Sequence, residues 1–171
     1  MAKIDINTLF RTLRGKIGDL VFRHMPDGSL VVSGRPRKRK KDSPAQKAHK
    51  SRFSEGSSFA RWAQHEYPVY AELAAERPMI TAYNMALSDF FHPPVIHRVL
   101  RKDGRILVHA SDDIMVTGVK VTVSDDQGKP LEVGDAAQVE KAWWQYTPQA
   151  IGRVTASAWD IPGNRACLEL E

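Results

Sequence analysis

The sequence predicts an α+β protein in which a short β-hairpin and three helices precede a small β-sandwich. Two β-prone runs flank a turn sequence near the N-terminus. Apolar residues then recur at helical spacing up to residue 91, and the pattern changes to alternation from residue 95 onward. With 171 residues, the chain has the length of one large domain or two small ones. We expect two modules, residues 1–94 and residues 95–171.

The β-hairpin is predicted from two runs rich in Leu, Val and Phe, residues 18–23 and residues 29–33, which Pro26-Asp27-Gly28 separates. Proline presets φ for a turn, aspartate bonds to nearby backbone, and glycine accepts a positive φ. Because a two-stranded hairpin is marginal in water, we expect one face to be buried against the helices or a neighbouring subunit. That face comprises Leu20, Phe22, Leu30 and Val32.

Three helices are predicted after the hairpin. Ser43 is a suitable N-cap and Pro44 occupies the first helical position, so the first helix begins there and ends or kinks at Pro68. Prolines also delimit a second helix over residues 69–76 and a third over residues 81–91. The predicted apolar face of the first helix comprises Phe53, Phe59, Ala60, Ala63 and Tyr67, and that of the third comprises Tyr83, Ala86, Leu87 and Phe90.

The predicted domain boundary is the Pro93-Pro94 pair, after which apolar residues alternate with other residues. Three alternating runs follow, namely Ile106, Val108 and Ala110, then Val119, Val121 and Val123, then Val154, Ala156 and Ala158. Turn sequences lie at residues 102–104, 125–128, 132–135 and 161–164. This spacing is typical of the short antiparallel strands of a small β-sandwich.

Four sequences in this second half, at residues 110–113, 119–123, 144–147 and 159–164, resemble bacterial immunoglobulin-like modules found in surface proteins. The resemblance covers roughly residues 95–171. It implies an immunoglobulin-like β-sandwich, and it carries no particular activity. These modules usually have a small polar residue before the closing aspartate, where this chain has Trp159.

The first half has a likeness of its own. Gly-Lys-Ile-Gly at residues 15–18 precedes the hairpin and a basic stretch, and Gln46 stands six residues before Arg52-Phe53. This order is similar to a group of uncharacterised proteins associated with bacterial phages and prophages. The likeness implies a biological setting rather than a mechanism.

Positive charge is concentrated in residues 35–41, six of which are Lys or Arg, and we call this segment the basic strap. Residues 1–95 carry 16 Lys/Arg against 9 Asp/Glu, a net charge of +7, whereas residues 96–171 carry 9 against 11, a net charge of −2. We predict that the strap and the helix after it bind a polyanion, either a nucleic-acid backbone or an acidic subunit face, although a solvated linker is the simpler interpretation. The predicted polyanion-binding residues are Arg35, Arg37, Lys38, Arg39, Lys40, Lys41, Lys47, Lys50 and Arg52.

The cysteine, histidine and serine residues of the sequence form none of the catalytic or metal-binding motifs known for these residue types in other proteins. Its single cysteine excludes an intrachain disulfide, its six histidines form no His-Glu-x-x-His pair, and no serine lies in a Gly-x-Ser-x-Gly elbow. We expect no enzymatic activity, no cofactor and no metal, and we expect Cys167 to be buried on a terminal strand as a small hydrophobe. The oxygen atoms of Asp112, Asp113, Asp160 and Asn164 suit Ca²⁺, but turn capping explains these residues more simply.

Large aromatic residues suggest a subunit interface. If Trp144 and Tyr146 face the core, strand alternation turns Trp143 outward, and Trp159 turns outward in the same way. Exposed aromatic rings favour contact between subunits, whereas cover by a loop or by the helical half is the alternative. The predicted interface residues are Phe22, Trp143 and Trp159.

These patterns together predict a non-enzymatic structural or assembly protein of a multi-subunit, phage- or prophage-like particle or filament. Hairpin edges and exposed aromatics would join neighbouring copies or other structural subunits. The alternative is a non-specific nucleic-acid-binding protein. An adhesin-like module is a third reading, and the absence of a signal-peptide pattern at the N-terminus counts against it. We expect cytoplasmic synthesis, incorporation into a particle and no association with membranes.

Overall fold

A computed structural model of the protein describes residues 13–35, 41–77 and 79–170, together with the backbone of Ala2–Ile4. These residues form three helices and twelve strands, so the predicted α+β class is confirmed. The helices are α1 (Pro44–Glu66), α2 (Pro68–Ala75) and α3 (Ala82–Phe91). The strands are β1 (Ala2–Ile4), β2 (Gly15–Ile17), β3 (Leu20–His24), β4 (Leu30–Gly34), β5 (Val95–Lys102), β6 (Arg105–Ser111), β7 (Gly118–Ser124), β8 (Pro130–Asp135), β9 (Ala137–Glu140), β10 (Trp143–Tyr146), β11 (Arg153–Trp159) and β12 (Arg165–Glu169). None of the helices in the described ranges is long and apolar enough to cross a membrane.

The chain divides into two compact units. The first consists of Met1–Arg52 with Arg77–Met79, and the second consists of Phe53–Glu76 with Ile80–Glu171. The second unit contains α2, α3 and strands β5 to β12, so the change from helices to strands lies inside it. The predicted domain boundary between residues 94 and 95 stays a prediction.

The first unit contains an antiparallel sheet with the order β1-β4-β3-β2. The predicted hairpin is confirmed, because β3 pairs with β4 across a turn in which Gly28 has a φ of 79°. The backbone N–H of Ser29 donates to Oδ1 of Asp27 at 2.9 Å, which is the expected role of the turn aspartate. Strands β1 and β2 were not predicted, because runs of three residues show no measurable periodicity.

The predicted buried face of the hairpin is correct in part. Leu30 is fully buried and Phe22 and Val32 are half-buried, but 47% of Leu20 is exposed. The prediction is wrong for Leu20 because its partner on β4 is Gly34, which has no side chain to cover it, and its partner on β2 is Ile17, which is itself exposed.

Helix α1 begins where the sequence predicts, with a reciprocal capping box. The backbone N–H of Gln46 donates to Oγ of Ser43 at 3.3 Å, and the backbone N–H of Ser43 donates to Oε1 of Gln46 at 2.9 Å. The helix ends before Tyr67, and Pro68 opens α2 at a position that tolerates proline. The predicted interruption at Pro68 is therefore confirmed.

The helices of the second unit share a core of Ala60, Ala63, Tyr70, Met85 and Ala86. Phe53 was predicted to lie on this buried face, but it is exposed. The centroid of its ring lies 6.4 Å from that of Phe91, which is the last residue of α3. Because α3 ends there, it covers only part of the Phe53 ring, and 47% of Phe53 is exposed.

Residues 95–170 form two antiparallel sheets with the orders β5-β6-β10-β9 and β12-β11-β7-β8, and we call them the two-sheet module. The three predicted alternating runs are all buried in one cluster between the sheets, together with Trp144. This arrangement is consistent with a β-sandwich.

Three of the four predicted turns connect strands, and their glycines, Gly104, Gly128 and Gly163, have positive φ. The turn predicted at residues 132–135 is wrong, because these residues lie within β8. A Cβ at Gly134 would lie 2.4 Å from Cε2 of Tyr146. Glycine therefore stands at this position for close packing and not for a turn.

Candidate functional site

Three aspartates converge at one end of the two-sheet module. Asp89 lies in the last turn of α3, Asp112 directly follows β6, and Asp160 directly follows β11. One carboxylate oxygen from each lies within 4.8 Å of the others. Asp89 and Asp160 are only 1% and 3% exposed, and Asp112 is half-buried. We call these three residues the acidic cluster.

Asn164 holds the cluster together by bonding to both the helix and the β11–β12 turn. Its Nδ2 donates to Oδ2 of Asp160 at 2.7 Å and to the backbone oxygens of Asp89 and Phe90 at 3.3 and 3.4 Å. The last carbonyls of a helix lack N–H partners in a following turn of helix, and Asn164 supplies a donor to two of them, although the carbonyl of Asp89 also accepts from the backbone N–H of His92 at 3.1 Å. The turn is thereby fixed against the helix that carries Asp89.

Each aspartate has at least one oxygen engaged in a hydrogen bond. Oδ2 of Asp89 accepts from the hydroxyl of Tyr70 at 2.6 Å. Oδ2 of Asp112 accepts from the backbone N–H groups of Ile114 and Met115 at 2.9 and 3.0 Å. Oδ1 of Asp160 accepts from the backbone N–H of Asn164 at 2.6 Å. Turn capping, the simpler interpretation of Asp112 and Asp160, is confirmed by these bonds.

Two oxygens of the cluster are buried and lack a hydrogen-bond partner among the described residues, Oδ1 of Asp89 and Oδ1 of Asp112. Buried polar atoms normally have partners, and leaving a carboxylate oxygen without one is costly. Turn capping therefore explains only part of the arrangement.

Burial and mutual repulsion make the cluster electrostatically unfavourable. The pKa of Asp89 is raised to about 7, chiefly by burial and then by the neighbouring carboxylates of Asp112 and Asp160, while the hydrogen bond from Tyr70 acts in the opposite direction. Burial also raises the pKa of Asp160, against the hydrogen bonds from Asn164. The pKa of Tyr70 is raised as well, chiefly by burial and then by Asp89, so its hydroxyl remains a proton donor.

The sequence prediction identified part of this cluster. Asp112, Asp160 and Asn164 do come together, whereas Asp113 is exposed and lies outside the cluster. Asp89 was missed, although its position carries a signal. It lies three residues after the buried Ala86, so an acid occupies the buried face of an otherwise apolar stripe.

Part of the predicted polyanion site lies outside the described residues, namely Arg37, Lys38, Arg39 and Lys40. The described members, Arg35, Lys41, Lys47, Lys50 and Arg52, are all exposed. Nζ of Lys50 forms an ion pair with Oδ2 of Asp42. Polyanion binding by the strap stays a prediction.

The outer face of the first sheet of the module carries a second feature. The ring of Trp143 stacks on His109 at 4.7 Å, and His109 in turn lies 5.0 Å from the ring of His97. Leu107, Val139, Glu140 and Trp143 line a hollow beside this stack. We call Leu107, His109, Val139 and Trp143 the Trp143 patch. The predicted outward orientation of Trp143 is confirmed, because it is half-exposed while Trp144 is buried.

Trp159 also lies outside the core, but charged side chains of its own sheet cover it. The guanidinium of Arg165 lies 5.3 Å from the ring centroid, and Nζ of Lys120 lies 5.8 Å from it. Phe22 is half-buried in the first unit. The interface role of Phe22, Trp143 and Trp159 stays a prediction.

Cys167 was predicted to be buried, but it is exposed. It lies on β12, an edge strand of the described sheet, where side chains have a neighbouring strand on one side only. Its Sγ lies 3.4 Å from Oγ of Ser157.

Comparison of the chain with models of known protein families, with curated proteins and with solved structures found no match.

Proposed function

We propose that residues 95–171 form an immunoglobulin-like β-sandwich. Support comes from the strand order. If strands β5 to β12 are lettered A, B, C, C′, D, E, F and G, the two sheets read A-B-E-D and G-F-C-C′. Immunoglobulin-like sandwiches pair A-B-E-D against G-F-C, and some add C′ at the edge of the second sheet. The resemblance of residues 110–113 and 159–164 to bacterial modules of this type agrees with that order.

We further propose that the protein is a non-enzymatic assembly protein whose copies associate through the Trp143 patch and the neighbouring strand β9. The observation that carries this proposal is the exposure of Val139, 51%, on a strand whose four residues are all exposed. Strand β9 is the edge of its sheet among the described residues, and an edge strand with exposed apolar side chains is a template for pairing with another chain.

A second copy of the same chain is the partner that we propose for this edge. Antiparallel pairing of β9 with β9 of a second copy places the same groups on both sides of a two-fold axis. It would continue the sheet across the interface and cover Val139 and the Trp143 ring. The likeness of residues 15–18 and the basic stretch to phage- and prophage-associated proteins suggests a multi-subunit particle or filament as the setting.

Light scattering after size-exclusion chromatography tests this proposal at several protein concentrations. We expect the wild type to associate, and we expect Val139→Lys and Trp143→Ser to weaken association about 30-fold, equivalent to about 2 kcal/mol for an interface aromatic. Ile151→Lys is the matched control, because Ile151 is 86% exposed and lies outside the patch. A wild type that is monomeric at every concentration, or equal weakening by Ile151→Lys, would contradict the proposal.

Non-specific nucleic-acid binding is the second candidate function. It is favoured by the exposure of Lys41 in the strap and of Lys47 and Lys50 after it, with Lys47 and Lys50 three residues apart on one face of α1. If four to six cations contact phosphates, the affinity for duplex DNA falls with salt at a logarithmic slope between about −3.5 and −5.5.

Fluorescence-anisotropy titrations at several salt concentrations test this second candidate. Changing the four residues 37–40 to serine should flatten the slope by about two to four units. The strap could instead contact an acidic face of a neighbouring subunit. In that case DNA binding is negligible in both the wild type and the serine variant, and the four serine substitutions impair assembly.

A further inference from the structure

The acidic cluster has the donor atoms of a binding site for a hard cation. Its three side chains all offer carboxylate oxygens, and neither a cysteine nor a histidine belongs to the cluster. Calcium and magnesium prefer oxygen ligands, whereas zinc prefers nitrogen and sulfur. The donor set therefore favours an alkaline-earth ion.

The second observation is the pair of oxygens that lack partners. Asp89 is 1% exposed, and its Oδ1 has no hydrogen-bond partner in the described part of the chain, as is also true of Oδ1 of Asp112. A buried carboxylate is stable only when its charge is compensated. The described residues contribute no cationic side chain to this cluster, so a bound ion would provide that compensation.

The spacing of the oxygens fits calcium. Oxygens that coordinate Ca²⁺ lie about 2.3–2.6 Å from the ion, so two oxygens on opposite sides of it are up to about 5 Å apart. The three carboxylate oxygens of the cluster lie within 4.8 Å of one another. This spacing is compatible with one calcium ion between the three oxygens.

The remaining contacts hold the ligands in place. Tyr70 donates to the other oxygen of Asp89, two backbone N–H groups donate to the other oxygen of Asp112, and Asn164 bonds to Asp160. Such supporting hydrogen bonds orient the ligands of known metal sites and reduce the cost of assembling them. Tyr70 and Asn164 are thus positioning residues for the cluster.

We propose that Asp89, Asp112 and Asp160 form a Ca²⁺ site. The ion would join α3, the segment after β6 and the segment after β11 at one end of the two-sheet module. A proton shared between Asp89 and Asp112 is the competing way to satisfy the two oxygens, and it requires no metal.

Calcium titration of the full chain after removal of metals by a chelator tests the proposal. Titration with CaCl2 in a calorimeter should show saturable binding of one Ca²⁺ ion per chain. The melting temperature should rise by about 5 °C or more at saturation. MgCl2 at the same concentration should raise the melting temperature less, because Mg²⁺ demands shorter, strictly octahedral coordination. KCl at matched ionic strength controls for screening.

Two variants locate the site. Asp112→Asn should lower the calcium affinity at least about tenfold and abolish the melting shift, while its side-chain oxygen can still accept from Ile114 and Met115. Asp113→Asn, which changes an exposed neighbour, should behave as the wild type. If Asp112→Asn fails to fold, Asp160→Asn takes its place.

Three results would overturn the proposal. One is a wild type that shows no calcium-dependent shift beyond that of KCl, as a shared proton predicts. Another is an equal shift in wild type and Asp112→Asn. The third is an equal shift with magnesium, which would overturn the assignment to calcium.

Discussion

Replacing Gly134 with alanine should destabilise the two-sheet module sharply. A Cβ at this position would lie 2.4 Å from Cε2, 2.5 Å from the hydroxyl and 2.7 Å from Cζ of Tyr146. Real Cβ atoms do not approach other heavy atoms so closely, so the tyrosine ring or β8 must move. The ring is not free to move, because its hydroxyl donates to Oε1 of Glu132 at 2.5 Å.

The expected loss of stability is about 3 kcal/mol, the upper end of the cost of overpacking a core by one methyl group. The melting temperature of the chain should fall by about 6–12 °C. Gly118→Ala is the matched control, because a Cβ there meets nothing within 4 Å in the described part of the chain and Gly118 does not have a positive φ. We expect the control to change the stability by less than about 0.5 kcal/mol.

Thermal and urea unfolding, followed by circular dichroism, measure both variants. A Gly134→Ala protein as stable as Gly118→Ala would refute the close packing of β8 on β10, and with it the interpretation of Gly134. The slope of the unfolding free energy against urea concentration should be the same in both variants. A change in this slope would indicate that the denatured state has changed, and the unfolding midpoints could then not be compared directly.

The remaining predictions concern Glu132 and two tryptophans. The hydrogen bond from Tyr146 and those from two backbone N–H groups lower the pKa of Glu132 in the folded protein. Its carboxylate therefore stabilises the fold at pH values above the usual pKa of glutamate, and this stabilisation is lost as the pH falls through the lowered pKa. Glu132→Gln should therefore be less stable than wild type at pH 7, with a smaller difference at pH 3; a difference that grows toward pH 3 would contradict this. Trp144→Ser should cost about 3–5 kcal/mol in urea unfolding as a large core truncation, whereas Trp159→Ser should leave the unfolding midpoint nearly unchanged. Equal losses in both variants would show that Trp159 also belongs to the core.

The parts of the fold that follow local rules could be predicted from the sequence. Ser43 and Pro44 mark the start of α1 because a cap and a first-turn proline act within one turn. The runs around Val108, Val121 and Ala156 mark the module because each strand presents one face to the core. In each case the physical cause acts between residues close in sequence.

The parts that depend on distant residues could not be predicted. Residues 132–135 were predicted to form a turn because the sequence does not reveal that Gly134 packs against Tyr146, a contact that joins two different sheets. The acidic cluster combines Asp89 with Asp112 and Asp160, which only the tertiary fold brings within 4.8 Å of one another. The separation of these residues along the chain does not indicate that they are close in space.

Hydrogen exchange in strand β9 at two protein concentrations tests the proposed assembly most directly. Pairing of β9 with a second copy buries its backbone N–H groups, so the exchange of residues 137–140 should slow as the protein concentration rises. In Trp143→Ser the exchange should be fast at both concentrations. Exchange of residues 137–140 that is independent of concentration in the wild type would contradict association through β9 and the Trp143 patch.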